Sequence, residues 1–164
     1  MITLYEVAGP GPGRLATMAR PPGGADLPAA MAQLAQSGVH TLVSALEDSE
    51  AALLGLSEAP VHAQAVGLSL LRFPIPDVTA PPPEALPAVL ALADRLADEI
   101  RSGRYVVTHC RAGIGRCSML AGATLVRLGT PPDQAWELIR AARGWPVPDN
   151  AAQERWLYTV AQAS

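Results

Sequence analysis

One short stretch of the chain concentrates residue types that carry out nucleophilic chemistry. Residues Tyr105–Ser118 read YVVTHCRAGIGRCS, in which Cys110 is followed by a loop with two glycines and then by Arg116. Backbone N–H groups of a glycine-rich loop that leads into a helix bind anions, and arginine adds a two-pronged donor matched to phosphate oxygens. The same positive environment lowers the pKa of a cysteine thiol. The stretch therefore predicts an anion cradle with a thiolate at its base, which is suited to attack on phosphorus.

The elements around this stretch indicate an α/β fold, because β-branched apolar segments alternate with segments of helical periodicity. Strands are predicted over Ile2–Val7, Arg14–Ala19, Val39–Leu46, Leu68–Phe73 and Tyr105–His109. Helices are predicted over Leu27–Gln36, Asp48–Leu54, Glu58–Val66, Pro81–Gly103, Gly115–Leu128 and Pro131–Arg143, with a last helix that Asn150 caps and that ends at Gln162. Asp26 and Thr130 are the predicted caps of the first and sixth helices. We expect one domain over residues 1–164, with a largely parallel sheet of about four or five strands covered by helices on both faces.

Composition narrows the choice of partners. The chain of 164 residues has a formal net charge of −3 and a pI near 5.5, which argues against a nucleic-acid or anionic-membrane surface. All twelve of its basic residues are arginine, so a phosphate site must be built from arginine and backbone amides. We find no apolar run of membrane-spanning length and no signal peptide at the start, so a cytoplasmic location is expected. The two cysteines, Cys110 and Cys117, are too few for a four-ligand zinc site, and no metal or cofactor is expected.

The residues of this stretch resemble those of a known family. HCRAGIGR is similar to the His-Cys-x5-Arg phosphate loop of cysteine-based protein tyrosine phosphatases, and of their dual-specificity branch in particular. The similarity extends to FPIPD, which ends at Asp77, where the family places its general acid on a loop after an earlier strand. It also extends to GRLATMARP, VHTLVSALED and the last helix, and so covers most of the chain.

The resemblance implies a two-step reaction through a phosphocysteine. Cys110 attacks the phosphorus, Asp77 protonates the leaving oxygen, and water then hydrolyses the intermediate with Asp77 as base. Substrate oxygens are held by the loop, which comprises Arg111, Ala112, Gly113, Ile114, Gly115 and Arg116. Gln153, together with Asn150, matches the position that orients the water. No metal is implied, because arginine and amides stabilise the charge.

Several of these residues also have simpler explanations. Asn150 and Gln153 have the spacing of a helix capping box. Glu47 and Asp48 follow another strand end and compete with Asp77 as the acid, although they are better explained as helix caps. His109 either orders the loop through hydrogen bonds or is a core histidine. The three tryptophans, Trp136, Trp145 and Trp156, are expected to pack in the core or against loops.

Cys117 departs from the family pattern, in which serine or threonine follows the arginine and donates to the catalytic sulfur. A thiol is a weaker donor, so one hypothesis is that hydrolysis of the phosphoenzyme is slowed. A second is a reversible disulfide with Cys110 that protects the nucleophile from overoxidation. A third is that a thiol is simply tolerated there.

Four functions remain to be separated. The leading one is a protein tyrosine or dual-specificity phosphatase that acts on a phosphorylated protein. The alternatives are a phosphatase for small phosphomonoesters such as phosphoinositides, inositol phosphates or nucleotides, and a phosphate-binding module with little turnover. A rhodanese-type sulfur transferase is disfavoured, because its loop is typically one residue shorter than the one from Cys110 to Arg116. The sequence leaves the oligomeric state undetermined.

Overall fold

The computed structural model describes residues 1–163, which contain one sheet of five strands. The strands are β1 (Tyr5–Glu6), β2 (Arg14–Met18), β3 (Thr41–Ser44), β4 (Ser69–Arg72) and β5 (Tyr105–His109). Their spatial order is β1-β2-β5-β3-β4, and only the edge strand β1 is antiparallel to its neighbour. The predicted largely parallel α/β sheet is therefore confirmed. Its central strand, β5, ends immediately before Cys110, between the ends of β2 and β3.

Seven α-helices cover both faces of this sheet within the described residues. They are α1 (Leu27–Gln36), α2 (Asp48–Leu53), α3 (Ala59–Ala65), α4 (Leu86–Arg101), α5 (Arg116–Arg127), α6 (Pro132–Arg143) and α7 (Ala151–Gln162). Short 3₁₀ turns at Gly24–Asp26 and Pro83–Ala85 precede α1 and α4. None of the helices described is long and apolar enough to cross a membrane.

The sheet separates two hydrophobic cores, because successive strand residues point to opposite faces. Val106 packs with residues of α4, α5, α6 and α7, whereas its neighbour Val107 packs with residues of α1. Ten of the twelve residues of α5 are buried, as its apolar composition predicted. The helix that follows the phosphate-loop candidate is thus fixed on all sides.

Some predicted boundaries are wrong. The sixth helix begins at Pro132, with Pro131 in an extended conformation before it and no side-chain cap from Thr130. The reason is that a residue preceding proline is driven out of the helical region, so Pro131 cannot begin a helix that continues into Pro132. Asp26 occupies the predicted cap position of α1 but makes no capping hydrogen bond, because it already lies in a 3₁₀ turn. The predicted strand Ile2–Val7 is only two residues long.

Candidate active site

The loop between β5 and α5 is held in its curled shape from outside. The carbonyl of Arg111 accepts a hydrogen bond from the Arg20 amide at 3.2 Å, and the carbonyl of Gly113 accepts one from Arg143 Nε at 2.9 Å. Gly113 has a φ of +72°, and a Cβ there would lie 2.7 Å from the backbone nitrogen of Ala19. Only glycine meets both conditions. With these carbonyls bound outward, the loop amides are available to an anion inside the curve.

Cys110 lies at the base of this curve, with only 3% of its surface exposed. Its pKa is lowered to about 6, first by the Cys117 side chain and then by the amides of Cys117, Ile114 and Gly113, which together outweigh the effect of burial. The sulfur is therefore mainly thiolate at neutral pH, as a nucleophile requires.

Cys117 is completely buried, and its sulfur lies 3.3 Å from that of Cys110. Burial, and then the neighbouring sulfur, raise the pKa of Cys117 well above its usual value. One partner is thus a thiolate and the other a thiol that donates to it. This contact is the one that both the hydrogen-bond hypothesis and the disulfide hypothesis for Cys117 require. Ser118, the next residue, is buried within α5.

Arg116 is buried and is fixed by acceptors on two chain segments, α2 and the segment that follows β4. Its two terminal nitrogens reach the two carboxylate oxygens of Glu50 at 2.6 and 3.0 Å, and one of them also donates to the carbonyl of Ile75 at 3.0 Å. The arginine lowers the pKa of Glu50, mainly through these hydrogen bonds. Sequence reasoning missed Glu50. The feature of the sequence that could have identified Glu50 is its position in the helix that follows β3, the strand beside β5.

Asp77 lies beside the same guanidinium. Its Oδ1 is 3.1 Å from Arg116 Nη2 and accepts a hydrogen bond from the Val78 amide at 2.9 Å, while half of the side chain remains exposed. Glu47 forms a capping box with Glu50 at the start of α2, and Asp48 forms an ion pair with Arg72. Of the three carboxylates considered as the acid, only Asp77 contacts the loop arginine in this structure.

His109 is buried under the loop, and its Nδ1–H donates to the carbonyl of Cys110 at 3.2 Å. Burial is the largest of the effects that lower its pKa to about 4, so the ring is neutral at physiological pH. The ring also lines a cavity of about 250 Å³ on the α1 face of the sheet. Neither Cys110 nor Arg116 lines that cavity, which is therefore separate from the phosphate loop.

The remaining loop residues lie at its rim. Arg111 and Ala112 are exposed, Ile114 is partly buried, and the charge of Arg111 is close enough to contribute to the lowered pKa of Glu50. The carbonyl of Ala112 faces Arg143, whose Nη2 is 3.4 Å away.

Asn150 and Gln153 join the start of α7 to the segment after Asp77. The side chain of Asn150 caps the helix by accepting from the Gln153 amide and donates to the Val78 carbonyl, both at 2.9 Å. Gln153 does not complete the predicted capping box. Instead its Oε1 accepts from the Asp149 amide at 2.9 Å and its Nε2 donates to the Thr79 carbonyl at 3.1 Å.

Sequence reasoning also missed Asp149, which had been considered only as part of a loop that shapes the pocket. Its carboxylate rests on the phosphate loop, so that a Cβ built at Gly115 would lie 2.0 Å from Asp149 Oδ2. Partial burial and the charge of Asp77 raise its pKa. The feature of the sequence that could have identified Asp149 is a carboxylate four residues before Gln153.

Trp145 does not pack as the sequence predicted, because 57% of its surface is exposed.

Comparisons with known proteins bear on the family and on the fold. Residues 16–130 match the model of a family described as "Tc-R-P: Polymorphic toxin system, DSP-PTPase phosphatase". Kinase associated phosphatase, solved with serine in place of its catalytic cysteine, superposes with a TM-score of 0.86 at 17% identity, over 99% of this chain and 95% of that one. The active form of Tk-PTP gives 0.75 at 24% identity, over 92% of each chain. PTPMT1 in complex with PI(5)P gives 0.74 at 19% identity, over 91% of this chain and 90% of that one.

Proposed function

The chain belongs to the dual-specificity branch of the cysteine-based phosphatases, and from this premise we propose that it hydrolyses phosphomonoesters of proteins through a phosphocysteine on Cys110. The observation that carries the proposal is the position of Arg116. The guanidinium links the loop around the Cys110 thiolate to the Asp77 carboxylate, 3.1 Å away. The proposed nucleophile Cys110, the phosphate-binding Arg116 and the proposed acid Asp77 thus form one connected group.

In the first step the Cys110 sulfur forms a bond to phosphorus as the bond to the leaving oxygen breaks. The amides of residues 111–116 and the Arg116 fork hold the three non-bridging oxygens, over which the negative charge of the transferring phosphoryl group is spread. Glu50 prevents the guanidinium from rotating away. Asp77, in its protonated form, gives its proton to the leaving oxygen.

In the second step water displaces the Cys110 sulfur and releases inorganic phosphate. The thiolate leaves readily, because the Cys117 thiol and the loop amides stabilise its negative charge. The family resemblance assigns the base in this step to Asp77, with Gln153 and Asn150 orienting the water.

Two exposed apolar side chains favour an aromatic phosphomonoester. Val78 follows Asp77 directly, and Trp145 lies between Arg143 and Asp149, which both contact the loop; Val78 and Trp145 are 58% and 57% exposed. An aryl ring gains more from such surfaces than a polyhydroxyl ring does. A second candidate substrate is a phosphoinositide, which PTPMT1 binds in its structure and which the exposed Arg111 could contact.

The first experiment measures hydrolysis of p-nitrophenyl phosphate without added metal. We expect activity in the reduced wild type, none in Cys110→Ser, and a loss of about 100-fold in Asp77→Asn. Asp48→Asn is the matched control, because that carboxylate pairs with Arg72 at the surface. Activity that survives Cys110→Ser would refute the proposal. Rates on a phosphotyrosine peptide, a phosphoserine peptide and phosphatidylinositol 5-phosphate then decide between the two substrate classes.

A further inference from the structure

The site contains a carboxylate that the reaction outlined above leaves without a role. Asp149 Oδ2 occupies the space that a side chain at Gly115 would need, so the carboxylate lies directly on the loop, one residue before Arg116. The residue is otherwise exposed, and water can reach it. None of the ion pairs among residues 1–163 involves Asp149.

The surroundings of Asp149 favour its carboxylate as a proton acceptor. Partial burial and the nearby Asp77 raise its pKa, and only Arg116 and the side chain of Gln153 act in the opposite direction. The negative charge of Asp77 opposes the loss of a proton from Asp149. Such a pair suits a reaction in which one carboxyl group gives a proton and another receives one.

The side chain of Gln153, in contrast, is occupied by contacts with Asp149 and Thr79. Its amide oxygen accepts from the Asp149 N–H, its amide nitrogen donates to the Thr79 carbonyl, and none of the residue is exposed. In this conformation it presents no surface to a hydrolytic water. Its contact with the Asp149 amide does fix the position of Asp149, whose carboxylate lies against Gly115 of the loop.

We propose that Asp149 is a further catalytic residue, which accepts the proton of the water that attacks the phosphocysteine, and that Gln153 is the positioning residue that holds Asp149 in place. The inference rests on the proposed function. As the water oxygen forms its bond to phosphorus, the P–Sγ bond breaks, its electron pair returns to Cys110 as thiolate, and the proton passes to Asp149 and later to solvent. Asp77 keeps its role as the acid of the first step.

The test separates the two steps by rapid-quench kinetics with p-nitrophenyl phosphate. In Asp149→Asn we expect a burst of nitrophenol close to one equivalent, followed by a steady-state rate about 100-fold below that of the wild type. Mass spectrometry of the quenched protein should detect phosphate on Cys110. Asp149→Glu should recover part of the rate. Asp77→Asn should show the reverse pattern, with a slow first step and no accumulated intermediate.

Gln153→Ala should resemble Asp149→Asn, with a burst and a slow second step, whereas a purely structural role would slow both steps together. Asp98→Asn, which alters a surface carboxylate on α4, serves as the control for the loss of one charge. A steady-state rate in Asp149→Asn equal to that of the wild type, or loss of its burst, would overturn the inference. Failure of the proposed function is distinguishable from this result, because the wild type itself would then show no turnover that depends on Cys110.

Discussion

The lowered pKa of Cys110 depends on one neighbouring side chain more than on any other group. The side chain of Cys117 is the largest of the influences that lower the pKa of Cys110, ahead of the three loop amides. The usual serine or threonine would make the same contact with a hydroxyl. The departure from the family pattern therefore changes the strength of a hydrogen bond and keeps its position.

The pH dependence of Cys110 alkylation is the most direct check of this interaction. Because the pKa of Cys110 is lowered to about 6, the rate with iodoacetamide should rise as the pH rises through 6 and should level off above it. In Cys117→Ala the midpoint should move to higher pH, because the donor that stabilises the thiolate is lost. Cys117→Ser should keep a lowered midpoint. A wild-type midpoint near the ordinary cysteine value would contradict the account.

The same residue provides a prediction about turnover. A hydroxyl is a stronger donor than a thiol, so Cys117→Ser should make the sulfur of Cys110 a better leaving group. We expect the steady-state rate to rise several-fold while the burst rate stays the same, as measured by rapid quench. An unchanged or slower second step would leave tolerance of the thiol as the better explanation.

Glu50 should control both the position of Arg116 and the stability of the fold. In Glu50→Gln the buried guanidinium loses one of its two charged partners and keeps Asp77, and we expect the free energy of unfolding to fall by about 2 kcal/mol. The inhibition constant for inorganic phosphate should rise as well, because the fork is no longer fixed. Urea denaturation and phosphate inhibition measure the two effects. Glu58→Gln, an exposed residue next to α3, is the control and should change neither.

At the scale of elements, the site is assembled from the ends of neighbouring segments. The phosphate loop lies between the end of β2, the α6 terminus and the segment before α7, and these contact it through Ala19, Arg143 and Asp149 respectively. A change in any one of these three segments can therefore disturb the loop.

Gly113→Ala should therefore damage the loop by collision as well as by backbone strain. Its φ is +72°, and the added Cβ would meet the backbone of Ala19 at 2.7 Å. Gly67 has a φ of +73° with nothing within 4 Å of an added Cβ, so Gly67→Ala measures strain alone. We expect the control to lose about 1 kcal/mol of stability with full activity. Gly113→Ala should lose most of its kcat/KM, and equal activity in the two variants would contradict this account.

Elements with strong local signals could be predicted from the sequence. The spacing of Val89, Ala93, Leu96 and Ile100 identified α4, and the glycine-rich run after Tyr105–His109 identified the loop. The start of α6 was misplaced because two consecutive prolines satisfy the same signal one residue apart. Glu50 and Asp149 reach the site through tertiary folding, and the sequence gives no indication of how far a side chain extends across a sheet edge.

At the scale of the molecule, the two faces of the sheet have different tasks. One core packs α1 and α3 against the sheet, while the other packs the helices that carry Arg116 and Gln153. Both cores contribute to the stability of the fold, because they share the strands of one sheet. Only the second core supports helices that carry residues of the site.

Two matched truncations test this division. Leu34 in α1 and Leu157 in α7 are both fully buried, so each Leu→Ala change should cost about 3 kcal/mol in the free energy of unfolding. Only Leu157→Ala should also lower kcat in the folded protein, because α7 positions Gln153 and Asp149. Urea denaturation gives the first quantity and steady-state kinetics below the unfolding transition gives the second. Equal effects on kcat would show that the faces are not separable.

The uneven exposure of the tryptophans gives the molecule an optical reporter of its own. Trp136 and Trp156 are 1% and 8% exposed, whereas Trp145 is 57% exposed in the segment between Arg143 and Asp149. We therefore expect its indole to emit at longer wavelength than the other two and to be the first that iodide quenches. Occupancy of the loop by an oxyanion should be visible as a change in that red-edge fluorescence, without any attached dye.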